Sequence, residues 1–577
     1  MSPPRGSFCL VLHGHLPWSL HHGHWPHGEV WLFEAAAETY LPLLDVIDVG
    51  LREGFRTPFT LGLTPILLEQ LSSEAFKQGF VRWLEGRLAR AMADTSEFSA
   101  RNDGHLAWLA GYWQRYVSKC LDTFSCINRD IPAAFAAHAR AGRIELLTSN
   151  ATHGFMPLLR HDACARAQVR AGVATSERVL GLRPAGAWLP ECAYRPGGPW
   201  SPPVLDDGPR PRAGVEEIFS QEGIQFFFLD AHLARDARSE GILHPPINPG
   251  APRAFQKTDW SQVTWDTARG WRSPMEPHVL TSFGTPSGLT ALFRHPEVSE
   301  QVWSGEVGYP GESRYLEFHK RHGQDGHRYW KVTGSRVDLG DKQPWYPQDT
   351  QAATQEHARH LSALITSLLG KHREQTRSPG HPEGRHGVVV APFDAELFGH
   401  WWHEGPAFIA ELFRCLASLD VEAQTVSEFL AAHPADKVVA VPPGSWGAGG
   451  DFRVWLNDEL GWLCEASYRA EDRFLGDIHR LRWREDPTVR VALTAAAREL
   501  LLLQASDWGF VIHTRGAVDY GYRRFCEHLA RFDRASTIAE ARDRGEADTP
   551  IQIHELEDMH LHDDVFPDLR LEWWSEP

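Results

Sequence analysis

Two carboxylates stand out because each follows an apolar run and is surrounded by aromatic residues. Glu191 lies in WLPECAY, and Asp394 lies in APFDAELFGHWWHEG directly after the run GVVV. Aromatic walls lower the local dielectric constant, so they can raise the pKa of one carboxyl group while the other stays ionised. One carboxylate could then attack an anomeric carbon while the other group protonates the leaving oxygen, which is the division that glycoside chemistry needs. Taken singly, either residue would more often be a helix cap or a surface group.

A second candidate is the pair His13 and His15 in FCLVLHGHLPW, for which three interpretations are open. Histidines at alternate positions of a strand end could bind one metal ion, as in a metal-dependent amidohydrolase or deacetylase. His153, His232 and Asp394 would then be possible further ligands. The imidazoles could instead donate hydrogen bonds to sugar hydroxyls and position a substrate. They could also be satisfied polar groups at the mouth of a barrel.

These candidate residues lie at the ends of short apolar runs. The runs in FCLVLH, GRIELL, PAGAWL, IQFFFL and GVVVAPF each lead into a cluster of polar side chains. Four to six apolar residues without alternation are typical of parallel strands that are buried on both faces. Helical patterns such as EAAAETYLPLLDVI and HARHLSALITSLLG lie between them. This alternation predicts an α/β protein with a (β/α) barrel, whose catalytic face carries the polar groups.

Breaks in the alternation predict the domain boundaries. We expect the barrel over residues 1–195 and 289–435, with an inserted subdomain over 196–288, where Pro, Gly and Trp are frequent and periodicity is weak. Beyond the barrel, the glycine-rich stretch PPGSWGAGGD precedes helical patterns with a strong apolar face, such as VRVALTAAARELLLLQAS. We therefore predict a C-terminal helical domain over 436–577 that contributes to the binding cleft.

Composition argues against several classes of partner. The 577 residues carry a net charge of −17, which disfavours nucleic acid or an anionic membrane. No run of about 18 apolar residues and no signal-peptide pattern occurs, and the 8 cysteines form no CxxC pair. These features predict a cytoplasmic protein with reduced thiols. The 23 tryptophans suit a large core, but indole rings also stack on the faces of sugars.

Several segments, taken in order, resemble one known family. LHGHLPW with HWPHGEVWLFEAAAETYLPLL, GRIELLTSNATHGFMPLL, WLPECAYRPG and APFDAELFGHWWHEG are similar to four sequence regions of glycoside hydrolase family 57, in its branching-enzyme type. GSWGAGGDFRVWLN and LLLQASDWGF resemble the loop and the helical-domain region that follow. The resemblance covers nearly the whole chain and is poorest over about 195–285. It implies a distorted TIM barrel of the (β/α)7 type.

The resemblance also implies an activity and a set of residues. Glu191 would be the nucleophile and Asp394 the acid/base of a retaining double displacement that needs no metal and no cofactor. The expected reaction cleaves an α-1,4 linkage of amylose, glycogen or maltodextrin and transfers the segment to a 6-hydroxyl, which creates an α-1,6 branch. The chain is expected to be a monomer. The implied substrate-binding residues are His13, His15, Trp25, His153, Arg294, Trp303, Gly311, Trp446, Trp455, Asp507 and Trp508.

Two departures from the family pattern keep other activities open. The chain has His295 where an acidic or amide residue is usual, and it has no tyrosine between Tyr194 and Tyr309, where branching members carry a loop tyrosine thought to cover the acceptor. The residues that could replace that tyrosine are Trp260, Trp265 and Trp271. If water is not excluded, the glycosyl-enzyme is hydrolysed. An α-glucan hydrolase, a 4-α-glucanotransferase and a non-catalytic glucan-binding barrel therefore remain alternatives.

Overall fold

The computed structural model describes residues 5–24, 26–244, 254–257, 278–305, 307–334, 336–377, 382–435 and 437–575, with side chains undescribed at 239–244, 254–257 and 278. The strands in these ranges are β1 Gly6–Gly14, β2 Thr60–Leu63, β3 Glu145–Leu147, β4 Gly186–Ala187, β5 Gly198–Trp200, β6 Arg210–Arg212, β7 Phe226–Leu229, β8 Arg238–His244, β9 Ala254–Lys257, β10 Phe283–Gly284, β11 Thr290–Phe293, β12 Gly387–Asp394, β13 Glu422–Ala423 and β14 Lys437–Ala440.

Helices alternate with the strands and then dominate the C-terminal part. The first group is α1 Glu29–Ala35, α2 Leu41–Glu53, α3 Pro65–Ser72, α4 Glu74–Ala100, α5 Gly104–Cys126, α6 Ile131–Arg140, α7 Asp162–Leu180, α8 Val215–Gln221, α9 Ala231–Arg235, α10 Pro296–Trp303, α11 Pro347–Gln375, α12 Gly405–Leu416 and α13 Val426–Ala432. The second group is α14 Gly461–Arg480, α15 Pro487–Leu503, α16 Asp507–His513, α17 Val518–Asp543 and α18 Pro550–His562.

Seven strands close into a parallel barrel in the order β1, β2, β3, β4, β7, β11 and β12. Parallel ladders join β12 to β1, β1 to β2, β2 to β3, β4 to β7 and β7 to β11. Two single parallel bridges complete the circle, between Thr148 and Ala187 and between Arg294 and Val390. His295 N also donates to Val390 O at 3.0 Å. The predicted (β/α) barrel is confirmed, and it has seven strands.

The strands lie where the apolar runs predict them, because a barrel strand is covered on both faces. All nine residues of β1 are buried, and so are the four of β7. β7 lies within 196–288, the span expected to form an inserted subdomain, so the barrel continues through part of that span. β10, β14, β8 and β9 extend the sheet from β11, and β5 pairs with β6 in a separate hairpin.

The C-terminal part is mostly helical, as predicted, and it docks on the barrel through polar contacts. A bridge joins Gly154, after β3, to Ala505, after α15. Gln168 Nε2 of α7 donates to Gln504 Oε1 at 3.0 Å, and Arg524 Nη1 of α17 donates to Trp18 O at 2.8 Å. In the parts of the chain that the structure describes, no helix has the length and apolarity needed to span a bilayer.

Close packing of α7 on the end of β3 depends on Gly172. A Cβ atom added at this position would lie 2.2 Å from Ser149 O, a backbone atom that cannot rotate away. Gly86 in α4 provides a contrast, because a Cβ atom there would meet nothing within 4 Å.

We predict that Gly172→Ala lowers the free energy of unfolding by about 1–3 kcal/mol, because the backbone must shift to accept the methyl group. Gly86→Ala, the matched control, should raise it by about 0.5–1 kcal/mol, because alanine is the better helix former. Denaturant unfolding measures both changes. Equal stabilities for the two variants would contradict this account of the packing.

Candidate active site

All seven barrel strands place polar side chains at one end of the barrel, where their carboxyl termini meet. In chain order these are His13 and His15 at β1, Thr64 at β2, His153 after β3, Glu191 after β4, Asp230 after β7, Arg294 after β11, and Asp394 and Glu396 at β12. A cavity of about 740 Å³ opens at this end. Its outer wall comes from later parts of the chain, including the loop around Trp446 and helix α16.

The Glu191 carboxylate is buried and receives hydrogen bonds from two residues that follow the barrel in the sequence. Trp446 Nε1 donates to Oε2 at 2.8 Å, and Ser506 Oγ donates to Oε1 at 3.0 Å. Burial raises the pKa of Glu191 to about 7, although these two hydrogen bonds act in the opposite direction.

The backbone of Glu191 is also strained, with φ at 61°. A residue other than glycine costs about 1–3 kcal/mol in this left-handed region, so its surroundings must hold it there. Trp446 N donates to Glu191 O at 3.0 Å. His153 has the same φ of 61°, and Ser506 N donates to His153 O at 3.0 Å. The two residues that bind the carboxylate therefore also hold the two strained positions.

A chain of hydrogen bonds runs from His13 to Glu191 and determines the tautomers of two histidines. Because Ser506 Oγ donates to Glu191, we assign His153 Nδ1 as the donor to Ser506 Oγ, at 2.9 Å. His153 Nε2 is then an acceptor, and His13 Nε2 donates to it at 3.0 Å. Both rings are neutral in this arrangement. Burial, with the charge of His15 beside them, lowers the pKa of both well below the usual range.

His15 is the charged imidazole of this cluster. Its Nε2 lies 3.0 Å from Asp507 Oδ2, and its Nδ1 lies 3.0 Å from Thr64 Oγ1. Burial alone lowers the pKa of His15, but the Asp507 carboxylate reverses this effect and leaves the pKa above its ordinary value. Glu396 Oε1 accepts hydrogen bonds from His15 N at 3.0 Å and from the Tyr40 hydroxyl at 2.5 Å.

Asp394 ends β12, where its Cα pairs with that of His13. Burial raises the pKa of Asp394 well above its ordinary range, the charges of Glu396 and Glu191 raise it further, and Arg294 opposes them. Among the residues that the structure describes, none donates a hydrogen bond to Asp394, whereas Glu191 accepts two. A carboxyl group whose pKa is raised thus shares a cavity with one whose ionised form is hydrogen-bonded. This pair can donate a proton from one side and attack from the other.

Exposed aromatic rings form the walls of the cavity. Trp303, Trp401 and Phe510 line it and are each between 40% and 47% exposed. Trp446 stands edge-on to Trp303, with ring centroids 6.4 Å apart and planes at 75°. Arg294, fixed by two hydrogen bonds to Asp230, lies over the Trp446 ring at 5.6 Å. Flat apolar faces among charged groups suit a ligand with C–H faces and many hydroxyls.

The structure brings most of the predicted site residues to this one cavity, namely His13, His15, His153, Glu191, Arg294, Trp303, Asp394, Trp446, Trp455 and Asp507. Trp508 is not among them, because the helical turn that points Asp507 into the cavity rotates the next side chain by about 100° into the core. Its Nε1 donates to Leu502 O at 2.9 Å. Gly311 is exposed and outside the cavity lining. Trp25, Trp260, Trp265 and Trp271 lie outside the described residues.

Sequence reasoning misses several residues of the site, and their positions explain why. Ser506 directly precedes the predicted Asp507, and nothing else in the sequence indicates that it belongs to the site. Tyr40 reaches Glu396 from a π-helical turn, Ala36–Tyr40, that separates α1 from α2 and that no simple periodicity predicts. Trp401 and Trp402 are adjacent in GHWWHEG, and the sequence does not indicate which of the two faces the cavity.

Comparison with known proteins identifies the family. The family model described as "Glycosyl hydrolase family 57" matches residues 9–442, and the one described as "1,4-alpha-glucan branching enzyme, C-terminal" matches residues 466–574. The chain belongs to glycosyl hydrolase family 57. The resemblance noted in the sequence is thereby confirmed, and the second match covers helices α15 to α18 with Ser506 and Asp507.

Individual relatives agree with this assignment. The chain is 35% identical over 566 residues to a 1,4-alpha-glucan branching enzyme of Thermococcus kodakarensis. The aligned region covers 97% of this chain and 77% of the relative. It resembles the crystal structure of a family 57 branching enzyme from Pyrococcus horikoshii with a TM-score of 0.85 and 32% identity, over 99% of this chain and 97% of that one. The alpha-amylase AmyC from Thermotoga maritima gives a TM-score of 0.79 and 27% identity, over 99% of both chains.

In this family 57 chain the opening histidines do not form the metal set considered from the sequence. Among the described residues, three groups have ligand atoms within 4.8 Å of one another, and the one that includes an opening histidine consists of His15, His153 and Asp507, without His13, His232 and Asp394. Both ring nitrogens of His15 and of His153 already have hydrogen-bond partners, at 2.9–3.1 Å. A cation would have to break these bonds, so the residues fit a hydrogen-bonded cluster better than a metal centre.

We therefore predict that the purified protein holds no stoichiometric zinc and that chelator leaves its melting temperature unchanged. Elemental analysis by mass spectrometry and thermal melts with and without EDTA measure both properties. One zinc ion per chain, or a melting temperature that EDTA lowers and zinc restores, would contradict this description of the histidine cluster.

Proposed function

We propose that this protein is a 1,4-α-glucan branching enzyme, which cuts an α-1,4 linkage and transfers the released segment to a 6-hydroxyl. One observation carries the proposal. The C-terminal part that matches the branching-enzyme family model supplies Asp507 to a cavity that also holds the two barrel carboxylates, and its Ser506 donates a hydrogen bond to Glu191. The relatives named as branching enzymes support it over nearly the full chain.

In the proposed reaction Glu191 is the nucleophile and Asp394 the acid/base. Glu191 attacks the anomeric carbon, while Asp394 gives its proton to the departing glycosidic oxygen and so releases one half of the glucan. Asp394 then takes the proton of an incoming 6-hydroxyl, whose oxygen displaces Glu191 from the same carbon. The anomeric configuration is retained because two inversions occur. The hydrogen bonds from Trp446 and Ser506 favour the ionised form of Glu191 that attacks.

The remaining cavity residues are proposed to hold the glucan. The charged pair of His15 and Asp507 and the neutral His13 and His153 would position hydroxyl groups close to Glu191. The aromatic walls would stack on sugar rings, with Trp303, Trp446 and Trp455 as the predicted contacts. Arg294, which lies over the Trp446 ring, would hold that ring in place. No metal and no cofactor takes part in this mechanism.

Hydrolysis is the second candidate, and the likeness to the alpha-amylase AmyC specifically favours it. Transfer requires that water be kept from the glycosyl-enzyme until a sugar hydroxyl arrives. The tyrosine associated with this task in branching members is missing from the sequence, and the tryptophans that could replace it lie outside the described residues. The two candidates share every step until the acceptor enters.

We further propose a cytoplasmic monomer that acts in glycogen synthesis. The balance of charge, the cysteine content and the α-glucan substrate of its relatives support this setting. The proposed division into a barrel, a segment within 196–288 and a helical domain over 436–577 assigns the catalytic carboxylates to the barrel and the hydrogen-bond donors to the parts that follow it.

Amylose distinguishes the two candidates. We predict that incubation with the protein produces α-1,6 linkages, counted as new chains after debranching, with a much smaller rise in free reducing ends. Glu191→Gln should lower the rate by about 10⁴-fold or more, because the nucleophile is removed, while the exposed Glu85→Gln should match the wild type. Reducing ends that rise without branches would leave a hydrolase, and an active Glu191→Gln variant would overturn the assigned nucleophile.

The pH profile tests the role of Ser506. Because Glu191 must be ionised to attack and its pKa is about 7, kcat/KM should fall as the pH drops below about 7. Ser506→Ala removes a hydrogen bond to the ionised form, so it should raise this pKa and move the acidic limb upward by about one pH unit. The matched control Ser536→Ala, at a buried serine of α17, should leave the limb in place. A Ser506→Ala profile equal to that of the wild type would exclude a role for Ser506 in ionising Glu191.

A further inference from the structure

A groove on the helical domain lies apart from the cavity and has no role in the mechanism above. It runs between α14 and α17 and has a volume of about 400 Å³. The residues that line it include Trp462, Glu465, Arg469, Arg473, Leu529 and Asp533. None of these residues lines the cavity that contains Glu191.

One residue of the groove lining, Trp462, stands beside a second exposed aromatic ring, that of Tyr522. Trp462 is 37% exposed and Tyr522 is 55% exposed, with ring centroids 5.3 Å apart and planes at 50°. Phe525 makes an edge-to-face contact with Trp462, with ring centroids 5.3 Å apart and ring planes at 87°. An indole and a phenol held at an angle present two faces to solvent, which is a geometry that can follow two neighbouring units of a curved sugar chain.

Another exposed tryptophan shows that solvent exposure alone does not leave the faces of an indole ring free for a ligand. Trp108 on α5 is 48% exposed, but Arg115 lies over its ring at 6.0 Å and His105 stacks beside it, at 6.2 Å and 13°. The faces of Trp108 are thus already in contact with its own neighbours. Trp462 has no such cation over it among the described residues.

The polar groups of the groove indicate a neutral ligand. Two arginines and two acids line it, and they pair with one another. Arg473 Nη1 lies 2.8 Å from Asp533 Oδ1, and Arg469 pairs with Glu465 one helical turn away. A groove with balanced charges offers no net attraction to an anion or a cation, and exposed ion pairs are weak enough to share their donors and acceptors with hydroxyl groups.

The groove is also close to the cavity, with α16 as the wall between them. One side of α16 faces the cavity with Asp507, Phe510 and Val511. Its other side meets α17 at Gly521, where a Cβ atom would lie 3.0 Å from Ile512 Cγ1 and 3.1 Å from Trp508 O. Tyr522 is the next residue along α17. A single helix, about 10 Å across, therefore separates the two binding surfaces.

We propose that this groove is a second binding site for the α-1,4-glucan, with Trp462 and Tyr522 stacking on sugar rings outside the catalytic cavity. The identity of the ligand rests on the proposed function. The site would hold a long glucan chain to the enzyme while another part of the same polymer occupies the cavity, so long glucans would bind more tightly than short ones.

Affinity electrophoresis in gels that contain glycogen tests the proposal. All proteins carry Glu191→Gln, so that the glucan is not altered during the run. We expect Trp462→Ala and, independently, Tyr522→Ala to weaken binding to glycogen by about fivefold, the loss that one aromatic stacking contact would cause. Trp108→Ala is the matched control and should migrate like the parent. Thermal melts of each variant confirm that it is folded.

The outcomes separate this proposal from the proposed function. If the folded Trp462→Ala and Tyr522→Ala variants both bind glycogen as tightly as the parent, the groove is not a glucan site, even though the cavity can still act on amylose. If Trp108→Ala weakens binding equally, the effect is not specific to the groove and the proposal is overturned. If the wild type neither binds glycogen nor converts amylose, the proposed function itself fails.

Discussion

A buried carboxylate keeps its proton unless donors compensate for the loss of water, and Glu191 is in this position. Its two donors, Trp446 and Ser506, come from parts of the chain that follow the last barrel strand. The same two residues use their backbone N–H groups to hold the strained carbonyls of Glu191 and His153. The docking of the loop and of the helical domain is therefore a condition for an ionised Glu191, in addition to its contribution to stability.

Unequal hydrogen bonding separates the two acidic groups of the cavity. Glu191 accepts two hydrogen bonds, whereas Asp394 accepts none from the described residues and is acted on by the charges of Glu396 and of Glu191 itself. Both are buried, so burial alone would give them the same tendency to hold a proton. The difference in hydrogen bonding arises because Trp446 and Ser506, which follow the barrel in the sequence, donate to Glu191 and not to Asp394. The neutral His153 fits this arrangement, because a second proton, on its Nε2, would face the N–H of His13 Nε2 at 3.0 Å.

The barrel and the positions of its functional groups could be predicted because both follow from local sequence. Runs such as IQFFFL and GVVV are buried on both faces, and the residues that follow them must lie at one end of a parallel barrel. Ser506 and Tyr40 could not be predicted, because their roles depend on how distant segments dock. Asp507 and Trp508 are adjacent in the sequence, yet only the phase of α16 decides that one faces the cavity and the other the core. The run IQFFFL is predicted as a strand, but the weak periodicity around it assigns its span, 196–288, to an inserted subdomain, whereas β7 belongs to the barrel.

The distribution of these donors along the chain has a consequence for biosynthesis. A ribosome that has released the first 394 residues has made every barrel strand and both acidic groups, but neither Trp446 nor Ser506. The nascent barrel would therefore leave Glu191 open to water, without the two donors that fix its carboxylate. The complete cavity would form only when the final helices have emerged and folded back onto the strand ends, so that an incomplete chain lacks part of its binding surface.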